Sequence, residues 1–148
     1  MMKMKKLLSM MALSLLCLFM GSCDDNDISV SDIPAQVLNS FNEKYPGISA
    51  QWEKDVNSYK AEFRLNGKDA DAWFSTNGDW VRTEVDILKT DLPQVVVDAV
   101  QKAYEGYVID DADWIETPSQ NYYDVDIEKG GSADIHVHVT TDGTILKN

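Results

Sequence analysis

From Tyr59 to Leu65 apolar and polar residues alternate, with Tyr59, Ala61, Phe63 and Leu65 on one face and Lys60, Glu62 and Arg64 on the other. That period of two marks a half-buried β-strand. Asn66-Gly67 follows, and both residues tolerate the positive φ of a two-residue hairpin turn. The chain returns with Ala70, Ala72 and Phe74 against Asp69, Asp71 and Trp73, and Asn77-Gly78 turns it again into Trp80 to Val85. Two-residue turns at both Asn-Gly pairs set Lys60, Trp73 and Arg82 side by side across three strands. Glu62, Asp71 and Glu84 form the neighbouring row. Both rows lie on the face opposite Phe63 and Phe74. A diverged copy of the stretch returns as YYDVDIEKGGSADIHVHVTTDGTIL, Tyr122 to Leu146.

A helical period precedes each copy. Val37, Phe41 and Tyr45, with Leu38 alongside, are answered by Val96, Val100 and Tyr104 with Val97. Asp32 and Asp91 are the expected N-caps, with Pro34 and Pro93 in the first turn, where a missing N–H costs nothing. Pro46-Gly47 and Gly106 end the two helices. The prolines stand 93 − 34 = 59 residues apart, an offset that Tyr45 to Tyr104 and Gly47 to Gly106 keep. Trp52-Glu53 recurs as Trp114-Ile115-Glu116, and Asn77-Gly78 as Asp142-Gly143.

Helix then about four antiparallel strands, twice, predicts an α+β domain. Its two tandem repeats form one sheet of about eight strands with the helices packed on one face. The single domain runs over 31–148, with repeat one at about 31–88 and repeat two at about 89–148. The helical stripe reads as core.

The N-terminus sets the compartment. Lys3, Lys5 and Lys6 precede an apolar run from Leu7 to Met20, the plan of a signal peptide over 1–22. The run is shorter than the roughly 20 apolar residues of a spanning helix. Met20-Gly21-Ser22-Cys23 resembles a bacterial lipobox, departing from it in Met20 where leucine is usual, and makes Cys23 the expected lipidation site. Ordinary secretory cleavage would instead leave Cys23 a free thiol. Cys17 leaves with the signal, so the domain beyond Cys23 has no thiol for a disulfide or a nucleophile. Asp24, Asp25, Asn26 and Asp27 begin an acidic tether over 23–30, which resembles the export tag of Bacteroidetes surface lipoproteins. The expected place is the cell envelope: an outer-membrane lipoprotein on the periplasmic face or the cell surface, with the leaflet open.

Charge then removes one class of partner. Three of the 13 basic residues lie in the signal, leaving 10 against 25 acidic residues, a balance of −15. Such a domain repels phosphate backbones, and nucleic acid is not an expected partner.

At this point the duplicated unit resembles the PepSY-like proteins of Bacteroidetes, whose fold is similar to that of the β-lactamase inhibitor protein. The resemblance rests on Ile33-Pro34 and Leu92-Pro93 opening the helices, and on Tyr45 and Tyr104 closing them. Trp52-Glu53, Tyr59-x-Ala61-x-Phe63 and the Asn/Asp-Gly turn before the last strand complete it. It covers roughly Ser31 to Lys147 and implies an envelope-exported domain with no catalytic residues to carry over. A shared fold with the inhibitor does not transmit its function.

Three candidate sites remain on the outward face. Trp73 between Lys60 and Arg82, with Trp80 near the turn as a weaker companion, is a candidate partner-binding patch. The same cations would also simply cover the indole. In the second copy His136 and His138 stand outward, opposite Asp126 and Asp124, the donor types of a divalent metal site. Ordinary cross-strand attraction explains the same residues. The row Glu62, Asp71 and Glu84 needs water, an ion or a basic partner, unless Lys60 and Arg64 already neutralise it.

No Gly-rich phosphate loop, Gly-x-Ser-x-Gly elbow or thiol is present in the domain, so neither an enzyme nor a cofactor is expected. The expected function is a lipid-anchored envelope binding module that engages a protein partner, as an inhibitor for example, through the exposed sheet face. The alternatives are an envelope small-ligand or metal-binding sensor, and an accessory lipoprotein without soluble ligand.

Overall fold

The computed structural model describes residues 27–131 and 133–147. The signal peptide, Cys23 and residues 24–26 of the tether lie outside the described residues.

Two helices, α1 (Ala35–Lys44) and α2 (Gln94–Ala103), cover one face of a seven-stranded antiparallel sheet. Its strands are β1 (Gln51–Lys54), β2 (Ser58–Leu65), β3 (Lys68–Ser75), β4 (Trp80–Asp86), β5 (Val108–Glu116), β6 (Asn121–Glu128) and β7 (Ile135–Val139). They lie in chain order across the sheet, and α2 crosses over between β4 and β5. The architecture is the expected α+β pair of repeats, with seven strands instead of eight. The eighth segment is reduced to one bridge, Val139 to Ile145. Its counterpart β4 is paired on both sides, by β3 and β5, whereas Ile145 has only β7 beside it.

The helix starts differ from expectation. Pro34 and Pro93 are themselves the N-caps, while Asp32 and Asp91 close short 3-10 turns before them. The Pro34 carbonyl accepts from the Val37 and Leu38 amides at 3.0 and 3.2 Å, and Pro93 repeats this with Val96 and Val97 at 2.9 and 3.2 Å. Proline suits the position because it has no N–H to leave unpaired.

Each helix presses a stripe onto its own repeat. Val37, Phe41 and Tyr45 meet Trp52, Tyr59, Phe63 and Phe74, with the Phe41 and Phe63 ring centroids 5.3 Å apart at 84°. Val96 and Val100 meet Ala112, Val125, Val137 and Val139. Burial of these side chains, at roughly 25 cal/mol per Å² of apolar surface, is the main stabilising term. Ile135 shares the parity of buried Val137 and Val139 but stands at the strand's first position and remains exposed.

A turn leans on each helix. In the first repeat Ser75 N–H donates to Asp79 C=O (2.9 Å or less) and Gly78 N–H to Ser75 C=O, so three residues form the loop where two were expected. A bulge in β4 compensates, since Phe74 pairs with Trp80 while Trp73 still pairs with Arg82. The second repeat has the same turn at Thr140–Thr144.

Candidate functional site

The open face of the sheet is built from the residues that alternate with the core. On β1 to β4 one row reads Glu53, Lys60, Trp73, Arg82, as hairpin parity predicts. The next runs across six strands: Gln51, Glu62, Asp71, Glu84, Ile115, Tyr122. A third joins Asp86, Asp113, Asp124 and His138, and a fourth Asp111, Asp126 and His136.

Trp73 lies half-buried with the Arg82 guanidinium carbon 4.0 Å from its ring centroid. Arg82 Nη2 is also 3.7 Å from Glu84 Oε2. Lys60 does not share the indole. Its Nζ lies 2.6 Å from Glu62, 2.9 Å from Glu53 and 3.8 Å from Asp71, because three carboxylates outbid one aromatic face for an ammonium.

The protonation tendencies follow from those distances. Burial works to lower the Lys60 pKa, but the hydrogen bonds to Glu62 and Glu53 and the charge of Asp71 outweigh it, and the net shift is upward. Asp71 is pushed up to about 6, by burial first; Lys60 opposes this, while Glu62, Glu84 and Asp86 add to it. Both partners shift upward because Lys60 gives its close contacts to the two glutamates. Asp71 is left with the longest of the three contacts and the most acidic neighbours.

Trp80 requires a correction. Counting back from Arg82 puts it outward, but the β4 bulge turns it to the helix side. There it packs against the first core, its Nε1 donates to Thr83 Oγ1 at 2.9 Å, and Lys44 Nζ lies 3.5 Å from its ring centroid. Fully buried Thr83 also hydrogen-bonds the Tyr45 hydroxyl. Burial raises the Tyr45 pKa; the Thr83 bond lowers it, and the Glu116 charge raises it.

In the second repeat the expected pairs are present, Asp124 opposite His138 and Asp126 opposite His136. His136 Nδ1 is 2.6 Å from Asp126 Oδ1 and 3.5 Å from Asp124 Oδ1; His138 Nε2 is 3.7 Å from Asp124 Oδ2. One ligand atom each from Asp124, Asp126 and His136 lie within 4.8 Å of one another. Asp124 Oδ1 is shut off from solvent and accepts no hydrogen bond among the described residues.

Ile115, Asp113 and Tyr122 escaped the sequence reading of this face, as did Gln51, Glu53, Asp86 and Asp111. Ile115 is 3% exposed and belongs to neither core cluster, standing between Glu84 and Tyr122 at the middle of the open face. The signal was Trp114-Ile115, two adjacent apolar residues that interrupt the alternation of β5.

The family model described as beta-lactamase-inhibitor-like, PepSY-like, matches residues 20–66 and again 57–147. The chain belongs to the PepSY-like family. The first match reaches from α1 to the end of β2, and the second runs from β2 through the whole second repeat. Among solved structures the PepSY-like chain is similar to a DUF2874 family protein from Bacteroides uniformis, with TM-score 0.70 and 25% identity over 77% of this chain and 86% of that one. A BLIP-like protein from Bacteroides fragilis aligns with TM-score 0.69 and 24% identity over 77% and 83% of the two chains. A Bacteroides eggerthii chain called "putative periplasmic proteins" aligns with TM-score 0.68 and 25% identity over 77% and 86%. No curated protein matches at comparable significance. No helix among the described residues is long and apolar enough to cross a membrane.

Proposed function

We propose that this PepSY-like chain is a lipid-anchored module of the cell envelope that holds a basic protein partner against the open face of its sheet. One observation carries the reading: Trp73, stacked under Arg82, borders a carboxylate row in which Asp71 is held up at about 6. A half-buried indole supplies contact area at low entropic cost, and the surplus of acids supplies attraction and selectivity for cations. The BLIP-like fold of the Bacteroides fragilis protein supports a binding role, with inhibition of an enzyme as one form of it. Envelope placement is supported by the periplasmic description of the Bacteroides eggerthii chain, and anchoring by the apolar run ending at Cys23.

Crosslinking the full lipidated chain in membranes of its native host, wild type beside Trp73→Ala, tests the site. The expected result is a single basic partner captured by wild type and lost at least tenfold in the variant, with unchanged thermal stability. Equal capture by both proteins would retire the open face. Cys23→Ser tests the anchor separately: the protein should leave the membrane fraction, and continued membrane partition would refute lipidation there.

A further inference from the structure

We propose that Asp124, Asp126 and His136, with His138 beside them, form a binding site for a single divalent zinc ion. The argument starts from a comparison of the two repeats with each other. In the first, Lys60 pairs with Trp73 and Glu62 with Asp71; in the second, the equivalent grid pairs Asp124 with His138 and Asp126 with His136. The first grid carries its own cation, because the Lys60 ammonium sits among Glu53, Glu62 and Asp71. At the equivalent place the second repeat has the carboxylate of Asp124. Asp71 and Trp73 are replaced by imidazoles. A grid that holds an internal ammonium becomes a set of one nitrogen and two oxygen donors, with a second imidazole alongside, around a place for an external cation.

The geometry suits a small ion. Zinc takes imidazole nitrogen and carboxylate oxygen at about 2.0–2.2 Å in a tetrahedron, whose edges are then about 3.3 Å. His136 Nδ1 lies 2.6 Å from Asp126 and 3.5 Å from Asp124, with His138 Nε2 3.7 Å from the other oxygen of Asp124. The two His136 separations bracket the tetrahedral edge, while His138 faces the other oxygen of Asp124 and stands outside the three-atom cluster. The carboxylate side chains are 21% and 14% exposed and fixed on β6, while His136 is 60% exposed and can swing the few tenths of an ångström the fit requires.

A second observation is independent of the donor types. Asp124 Oδ1 is closed to water and, with His136 Nδ1 in ion-pair range at 3.5 Å, accepts no hydrogen bond among the described residues, although a buried carboxylate oxygen ordinarily does. A metal ion meets that requirement. Tyr122 orients the site from outside, its ring centroid 4.7 Å from that of His138. Asp113 and Asp111, opposite Asp124 and Asp126 on β5, add negative potential that favours a dication.

The test is calorimetric titration of the full-length chain in detergent with zinc chloride, alongside His136→Ala and Asp124→Asn. One zinc per chain is expected in wild type. Each variant should bind at least about tenfold more weakly, since losing even an outer-shell partner costs that much. Cobalt substitution provides a second readout: nitrogen and oxygen donors give tetrahedral d–d bands without thiolate charge transfer, which distinguishes this site from a thiol at Cys23. Absence of zinc binding, equal binding by both variants, or a thiolate band would each overturn the proposal. So would calcium bound as tightly as zinc, because calcium takes oxygen ligands and has no use for an imidazole.

Discussion

Asp71 shows what a single residue costs this fold. Its carboxyl is held at about 6 against an ordinary 3.8. Between those values the folded protein binds more protons there than the unfolded chain does. Stability therefore falls as pH rises through about 4 to 6 and stays lowered above. Two pKa units correspond to about 3 kcal/mol unscreened, but the side chain is 36% exposed and solvent reduces this to about 1 kcal/mol. Asp71→Asn should thus stabilise the protein by about 1 kcal/mol at pH near 8 and by nothing at pH near 3.5. Urea midpoints at the two pH values measure it; destabilisation near pH 8 would refute the burden on Asp71. Thr83 is the opposite case. It serves both the buried Tyr45 hydroxyl and the half-buried Trp80 Nε1, so Thr83→Val should cost about 2 kcal/mol in the same experiment by leaving each with one partner fewer. The Lys60–Trp73 register was legible because alternation and Asn66-Gly67 fix it from sequence alone, whereas Arg82 falls opposite Trp73 because the β4 bulge offsets a turn one residue longer than expected. The face of Trp80 was not, because a bulge has no signature in a run such as Trp80 to Val85 and a slip of one residue exchanges the faces.

At the scale of elements, the turn that closes each repeat is also the clamp for its helix. A Cβ on Gly78 would stand 2.8 Å from the Gln36 carbonyl oxygen in the first turn of α1, and one on Gly143 would stand 2.9 Å from the Val95 carbonyl oxygen of α2. Both glycines have positive φ, 89° and 85°. Gln36 Nε2 adds a hydrogen bond to Thr76 C=O at 3.2 Å. Gly67 has a similar φ, 83°, with nothing within 4 Å of its Cβ position. The pair separates conformation from packing. Gly67→Ala should cost about 1 kcal/mol for the left-handed backbone alone, and Gly78→Ala about 2–4 kcal/mol because the turn must also leave the helix. Equal losses in thermal unfolding would mean that the turn and helix are not coupled. The turns themselves were legible as Asn-Gly and Asp-Gly, but their length was not, since both two- and three-residue loops accept those residues. Nor was the cap, because an aspartate two residues before a proline at a helix start fits either an N-cap or the end of a 3-10 turn.

Taken whole, the molecule has two cores side by side and one face between them that belongs to both. Val85 pairs with Trp114 where the repeats join, and beside them a cleft of about 390 Å³ opens among Leu65, Val85, Ile87, Trp114 and Tyr123. The duplication was legible from the 59-residue offset, while the loss of the eighth strand was not, because Thr144 to Lys147 has the composition of a strand and lacks only a second neighbour. Charge acts at this scale too. The balance of −15 beyond the signal repels itself in the folded state, and the open face concentrates part of it in Glu62, Asp71, Glu84, Asp86, Asp113 and Asp124. Salt should therefore act in two opposite directions. Raising ionic strength from about 0.01 M to about 0.15 M shortens the screening length from about 30 Å to about 8 Å. Self-repulsion weakens, and the thermal midpoint of the free protein should rise by a few degrees. Attraction for a basic partner weakens as well, and its association rate should fall by tenfold or more. The two measurements share one cause and must move together. A midpoint that rises while capture is unaffected would leave the acidity as a matter of solubility alone, and the partner would have to be held by Trp73 and its apolar surroundings without electrostatic help.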